Sequence, residues 1–142
     1  MSTPAALTRP ARPGTPGRRL MARSAVLAAH GLATLPPARL RAVLAVLRRG
    51  AGPATYAEAE AARNLVLAVS LRCLGPKGCL PRSLATVLLC PAAGRWPTWC
   101  VGVRVAPPFA AHSWVEAEGR MVGEPMPAGY LATLFTLPPH VR

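Results

Sequence analysis

Gly75-Pro76-Lys77-Gly78-Cys79-Leu80-Pro81-Arg82-Ser83-Leu84 is the stretch that decides the fold. Gly75-Pro76 stops one helix, a Lys77-Gly78 turn follows, and Cys79 opens the next. Pro81 suits a first helical turn, where its missing amide proton would have been unpaired anyway. Leu84, Val87 and Leu88 give that helix an inward stripe, and Pro91 ends or kinks it near Cys90. Downstream come Ala111-His112-Ser113-Trp114-Val115-Glu116 and Gly123-Glu124-Pro125. A cysteine thus begins a helix, a histidine begins a strand, and a carboxylate sits on the strand after it.

Working outward, the segments before this stretch read as helices and those after it as strands. Arg19 to His30 forms a first helix, capped by Gly31. Pro36-Pro37 opens a second, in which Leu40, Val43, Leu44 and Leu47 share one stripe and Gly50 ends the run. Arg39, Arg41, Arg48 and Arg49 lie largely off that stripe, a solvated basic face or a docking surface for an acidic partner. Thr55-Tyr56-Ala57-Glu58 is a capping box that starts a third helix, running to about Cys73 and apolar almost all round in its second half.

After Trp96-Pro97 the period changes to two. Trp99, Val101, Val103 and Val105 alternate with Thr98, Cys100, Gly102 and Arg104 as a strand. Strands follow over about Ala111 to Ala117 and Arg120 to Glu124. Tyr130 to Leu137 fits a strand or a short helix. Helices first and strands later predict an α+β fold with a small antiparallel sheet.

The chain has 142 residues, 51% of them hydrophobic, which suits one domain with a sizeable core. The expected division is a disordered, basic, Pro-rich tail over residues 1–18 and a single domain over 19–142. No run of roughly 18 apolar residues is free of charge, so no membrane span is expected. The N-terminus lacks an apolar signal region, and a cytoplasmic protein is expected. The net charge of +12 favours acidic partners. With two Tyr and two Phe, and no basic run interleaved with aromatics, there is no base-stacking platform, so nucleic acid is not an expected partner.

Cys73, Cys79, Cys90 and Cys100 are expected as free thiols. Their spacing makes no zinc pattern, and no metal or cofactor is expected. Cys90 and Cys100, flanked by apolar residues, read as core thiols. The chain contains no aspartate, so any carboxylate chemistry belongs to Glu58, Glu60, Glu116, Glu118 or Glu124.

A cysteine at a helix start meets unpaired backbone amides and the positive end of the helix dipole, and both favour the nucleophilic thiolate. Lys77 adds positive charge, and Gly78 lets the backbone approach a substrate. The Cys79 backbone amide is a natural oxyanion donor. Against this stands the bland reading, in which Cys79 is a buried small hydrophobe and His112, like His30 and His140, a surface or satisfied core histidine.

The hairpin around Glu118-Gly119 bears on the third member. A two-residue turn sets Ser113 opposite Glu124. A three-residue loop with Gly119 in a bulge pairs Glu116 with Arg120, Trp114 with Val122 and His112 with Glu124. The second register is preferred, because it gives an opposite-charge pair and an apolar pair. Glu124 would then fix the His112 tautomer and leave the other ring nitrogen for Cys79, with Glu116 as the reserve orienter.

At these residues the sequence resembles the transglutaminase-like cysteine protease superfamily, and within it the stand-alone leader peptidases of lasso-peptide biosynthesis. The resemblance is carried by Ser70-Leu71-Arg72-Cys73, Gly78-Cys79-Leu80-Pro81-Arg82-Ser83-Leu84-Ala85, Trp99-Cys100-Val101-Gly102-Val103, Pro108-Phe109-Ala110-Ala111-His112-Ser113-Trp114-Val115-Glu116 and Val122-Gly123-Glu124-Pro125. It implies a papain-like fold, a cysteine helix packed on an antiparallel sheet. It implies Cys79 as nucleophile and His112 as general base and acid. Glu124 stands where the family usually has aspartate.

The implied activity is removal of the leader from a lasso-peptide precursor. The implied partners are the precursor peptide, a separate leader-recognition protein and an ATP-dependent lasso cyclase. The basic residues Arg39, Arg41, Arg48 and Arg49 offer a docking face for the recognition protein or for acidic leader residues. The same triad would also serve acyl transfer (transglutamination, amidation or N-acetylation). The alternative outside enzymology is a basic partner-binding module with Cys79 as a core thiol.

Overall fold

Apart from the two-residue strand at Gly52–Pro53, helices precede strands, as the change of period predicts. The computed structural model describes residues 14–75, 78–124, 126–127 and 129–140. In chain order the elements are α1 (Pro16–Leu32), α2 (Pro37–Leu47), β1 (Gly52–Pro53), α3 (Tyr56–Val69), α4 (Leu71–Leu74), α5 (Cys79–Leu89), a 3-10 turn (Cys90–Ala93), β2 (Arg95–Trp96), β3 (Thr98–Arg104), β4 (Ala111–Ala117), β5 (Arg120–Met121) and β6 (Leu131–Leu137). The fold is α+β. Its main sheet is antiparallel with strand order β5-β4-β3-β6, and a short parallel pair joins β1 to β2.

Helix α5 is the centre of the molecule. Six consecutive residues, Arg82 to Val87, are buried, because α1 and α3 cover one side of the helix and strands β3 and β4 the other. Trp96, Trp99, Leu84, Val66, Val87 and Val122 fill the space between the layers. The indole N–H of Trp96 donates to the Leu137 carbonyl at 3.2 Å, and that of Trp99 to the Ser83 hydroxyl at 3.1 Å, so both buried rings have their polar atom satisfied.

Several boundaries differ from the sequence reading. Helix α1 starts at Pro16, not Arg19, because the Thr15 hydroxyl accepts the Arg18 amide at 3.2 Å and caps it there. Residues 1–13 of the expected tail lie outside the described residues, as does Lys77. Gly31 does not cap α1. The helix runs through it to Leu32, which packs against the core.

The capping box of α3 forms on both sides, with Glu58 N–H to Thr55 Oγ1 and Thr55 N–H to Glu58 Oε1, each at 3.1 Å. The helix ends at Val69, earlier than expected. Ser70 leaves the helical region (φ −134°, ψ 113°), and its hydroxyl accepts the Cys73 amide at 3.3 Å to cap α4 instead. Tyr130 to Leu137, undecided in sequence, contributes strand β6.

The hairpin register is the main correction. Ala117 pairs with Arg120 and Glu116 with Met121, so the turn has two residues, Glu118 (φ 54°) and Gly119 (φ 74°). The Glu116–Arg120 and Trp114–Val122 pairs do not form. The core decides the register: the Val122 amide donates to the Val115 carbonyl at 2.9 Å, and both valines are buried. The left-handed backbone at Glu118, unfavourable for a residue with a Cβ, is offset by its carboxylate. That group accepts the Tyr56 amide at 2.9 Å and lies 3.9 Å from Arg120.

Candidate active site

Cys79 is the first residue of α5, with Gly78 as N-cap. The first amide of this helix bonded within it belongs to Arg82, which donates to Gly78 O at 2.9 Å. The amides of Cys79 and Leu80 therefore have no acceptor within the helix, and Pro81 has no amide proton to offer. The Cys79 amide is thus suited to receive an oxyanion. Gly78 serves a different end from the one expected. A Cβ there would collide with the Arg72 carbonyl and approach Cys73, so the glycine lets α4 and α5 meet rather than admitting a substrate.

His112 lies near the start of β4, opposite Gly102 of β3. The Trp114 ring stacks on the imidazole, with centroids 5.9 Å apart and planes 17° apart. Room for that indole comes from Gly102, where a Cβ would lie 2.8 Å from the Trp114 ring. The Trp114 N–H donates to Glu116 at 3.0 Å. Glu116 therefore holds the stacking ring, and the reserve role proposed for it as a partner of His112 is not taken up.

Glu124 reaches His112 without the three-residue loop. In the observed register Ser113, not His112, would face it, but β5 stops at Met121. Gly123 (φ +65°) then turns the backbone, and the Glu124 carboxylate meets His112 Nε2 at 3.2 Å. A carboxylate only accepts, so Nε2 carries the proton, and Nδ1 is left to bond the Cys79 thiol. The Glu124 carboxylate and the Cys79 thiol thus both act on the His112 ring.

The electrostatics fit that arrangement. Burial opposes ionisation of the Cys79 thiol, but hydrogen bonds from His112 and the Ser113 backbone, with the charges of His112 and Arg82, bring it down to about 7. Burial also opposes the His112 imidazolium, yet the hydrogen bonds with Cys79 and Glu124 and the charges of both raise it to about 9. Glu124 resists its own burial through the His112 hydrogen bond and the charges of Arg82, His112 and Arg63, which hold it below the usual carboxylate range. Between about 7 and about 9 the site therefore favours a thiolate–imidazolium pair.

The other thiols contrast sharply. All four cysteines are free. Cys90 and Cys100 are buried core residues, and their thiols are pushed up to about 12, first by burial and then by Glu58 and Glu116 respectively. Burial raises Cys73 as well.

Two buried groups escaped sequence reasoning. Arg82, one turn along α5 from Cys79, donates to the Cys73 carbonyl at 2.8 Å and lies 3.7 Å from Glu124. Its helical spacing from the cysteine was visible, but its burial and its carboxylate partner were not. Ser83 donates to Leu80 O at 3.0 Å, meets the Ser113 hydroxyl at 2.9 Å and accepts from Trp99. Because the Ser83 proton goes to Leu80, the Ser113 hydroxyl is the donor in that pair. The network ties the cysteine helix to the histidine strand.

With this geometry in place, the comparison with known families is decisive: the transglutaminase-like superfamily (Transglut_core3) matches residues 22–136. The chain belongs to the transglutaminase-like superfamily. No curated protein and no solved structure is a match. Domains of the transglutaminase-like superfamily are typically cysteine-dependent enzymes, and the papain-like arrangement of helix and sheet fits that assignment.

Two further observations delimit the site. A concavity of about 490 Å³ opens between α1, α3 and the end of α5 remote from Cys79. Met21, Ala62, Leu65 and Cys90 line it, and burial pushes its one thiol up to about 12, whereas that of Cys79 is brought down to about 7. Among the described residues no three His, Cys, Asp or Glu side chains gather to hold a metal, and no helix is long and apolar enough to cross a membrane.

Proposed function

We propose that the protein is a cysteine endopeptidase that removes the leader from a lasso-peptide precursor. The observation that carries the reading is the His112 imidazole held between the Cys79 thiol and the Glu124 carboxylate. The motifs around Cys79 and His112, similar to those of lasso leader peptidases, supply the substrate class.

In the first step the Cys79 sulfur attacks the carbonyl joining leader to core, and the Cys79 amide receives the developing oxyanion. The His112 imidazolium gives its proton to the departing core amine, leaving an acyl-enzyme. His112 Nδ1 next takes a proton from water, whose oxygen attacks the thioester. The leader leaves as its carboxylic acid, and the thiolate–imidazolium pair is restored. Glu124 keeps the ring in one tautomer throughout.

A separate leader-recognition protein would present the precursor, and an ATP-dependent cyclase would receive the freed amine. Helix α2 remains the proposed docking face, with its residues differently placed for the task. Arg41 lies over the Phe135 ring at 4.6 Å, and Arg48 donates to the Pro138 carbonyl at 2.7 Å. Arg39 and Arg49, both exposed, are then the main charges on offer to an acidic partner. Reversing those two charges should weaken partner binding and flatten its salt dependence. Unchanged binding would remove the docking face from the account.

The test of function is incubation with precursor peptide, with and without the recognition protein, followed by mass spectrometry. Wild type should yield leader and core, and Cys79→Ala should yield neither. Full leader removal by Cys79→Ala would end the protease reading. Leader joined to an added amine, with no free leader acid, would instead identify acyl transfer.

A further inference from the structure

Arg63 belongs to α3, away from the triad in sequence, and it is buried to 7% exposure. Its Nη2 is buried with no hydrogen-bond partner among the described residues. A buried cation with a donor unspent is costly, and an apolar side chain of similar volume would pack there at less expense. Its surroundings suggest what it does instead. An ideal Cβ on Gly123 would lie 2.5 Å from Arg63 Nη1, 2.7 Å from Cζ and 3.0 Å from Nε. The guanidinium therefore occupies the space beside the Gly123 backbone that only glycine leaves open. Gly123 is also where the chain turns left-handed to send Glu124 back to His112. Tyr56, on the same helix, accepts the Gly123 amide at 3.4 Å.

We propose that Arg63 is a positioning residue: its guanidinium braces the Gly123 turn from α3 and so holds Glu124 against His112. This rests on the triad reading of the site. The charged groups around Glu124 come from three elements, Arg63 on α3, Arg82 on α5 and His112 on β4. Arg63 itself also faces Glu60 and Tyr56. Arg82 fixes the carboxylate directly, whereas Arg63 fixes the backbone that carries it. The charges acting on Cys79 are those of His112 and Arg82, so Arg63 reaches the thiolate only through Glu124 and His112.

The test needs no substrate. The rate of Cys79 alkylation by iodoacetamide is followed against pH in the full chain, with mass spectrometry to locate the adduct. Wild type should show a midpoint at about 7. A midpoint at the ordinary thiol value would sink the triad reading itself, before Arg63 is tested.

In Arg63→Met, a loosened Glu124 supports the imidazolium less well, and the midpoint should rise by roughly half a pH unit or more. Arg63→Lys keeps the charge but loses the planar brace, so its midpoint should fall between those of wild type and Arg63→Met. Glu124→Gln should raise the midpoint too, and adding Arg63→Met to it should produce no further rise. Either of two results overturns the proposal: a wild-type midpoint in Arg63→Met, or an equal rise with and without Glu124→Gln, which would mean a direct field on the thiol. Should Arg63→Met fail to fold, Arg63→Lys decides alone, a raised midpoint supporting the brace and an unchanged one refuting it.

Discussion

Replacing Ser83 with alanine should cost far more than replacing its partner Ser113, although both lose one hydroxyl from the same hydrogen bond. Ser83 Oγ donates to Leu80 O at 3.0 Å, accepts from the Trp99 indole at 3.1 Å and accepts from Ser113 at 2.9 Å. Its one proton and both lone pairs are thus in use. Ser83→Ala strands the Trp99 N–H and the Ser113 hydroxyl, both on buried residues. Each stranded buried donor costs about 1–3 kcal/mol, and the Ser113 hydroxyl recovers part of its share by rotating, so a loss of roughly 2–4 kcal/mol is expected. Ser113→Ala leaves Ser83 bonded to Leu80 and Trp99 and removes a single hydrogen bond, worth about 0.5–1.5 kcal/mol. Urea unfolding followed by circular dichroism measures both. The double variant should be little worse than Ser83→Ala alone, because the two share a partner. Equal losses for the two single variants, or a larger loss for Ser113→Ala, would refute the assignment of donors and acceptors.

Three further outcomes follow from the same geometry. The profile of kcat/KM against pH should be a bell, rising as the Cys79 thiolate forms through about 7 and falling as the His112 imidazolium is lost through about 9. A flat alkaline side would mean that His112 is not the proton donor. Glu124→Ala should lower kcat/KM by about a hundredfold or more, while Glu116→Gln, which keeps the bond to Trp114, should leave it unchanged. The reverse result would move the orienting role to Glu116. Gly102→Ala would drive a methyl group into the Ala132 carbonyl and the Trp114 ring, so overpacking should cost about 1–3 kcal/mol in thermal or urea unfolding. An unaffected melting curve would show that strand β3 yields there.

The sequence exposed what depends on local chemistry. Cys79 as a helix start, the Thr55–Glu58 box and the alternation from Trp99 onward act over a few residues, and each produced the element expected. The nearness of Cys79, His112 and Glu124 was legible because two of the three sit at element starts and the absence of aspartate left few carboxylates to consider. What was not legible depends on contacts distant in sequence. The hairpin register was misjudged by weighing cross-strand pairs, whereas burial of Val115 and Val122 set it, with Glu118 tolerating its backbone through Tyr56 on α3. Gly78 was assigned to substrate access because nothing nearby in sequence announces the Arg72 carbonyl folded against it. The burial of Arg63 and Arg82 beside Glu124 follows from the packed layers, which no local pattern announces.

Its place at the start of α5 beside His112 sets Cys79 apart from the other three cysteines as the one that favours the thiolate. Competitive labelling at pH 7 with a limiting amount of iodoacetamide, read by peptide mass spectrometry on the folded protein, tests it most directly. Nearly all of the adduct should lie on Cys79, and His112→Ala should slow its labelling while Cys73, Cys90 and Cys100 stay unmodified. Label spread over the four thiols, or Cys79 labelled at the same rate with and without His112, would contradict it.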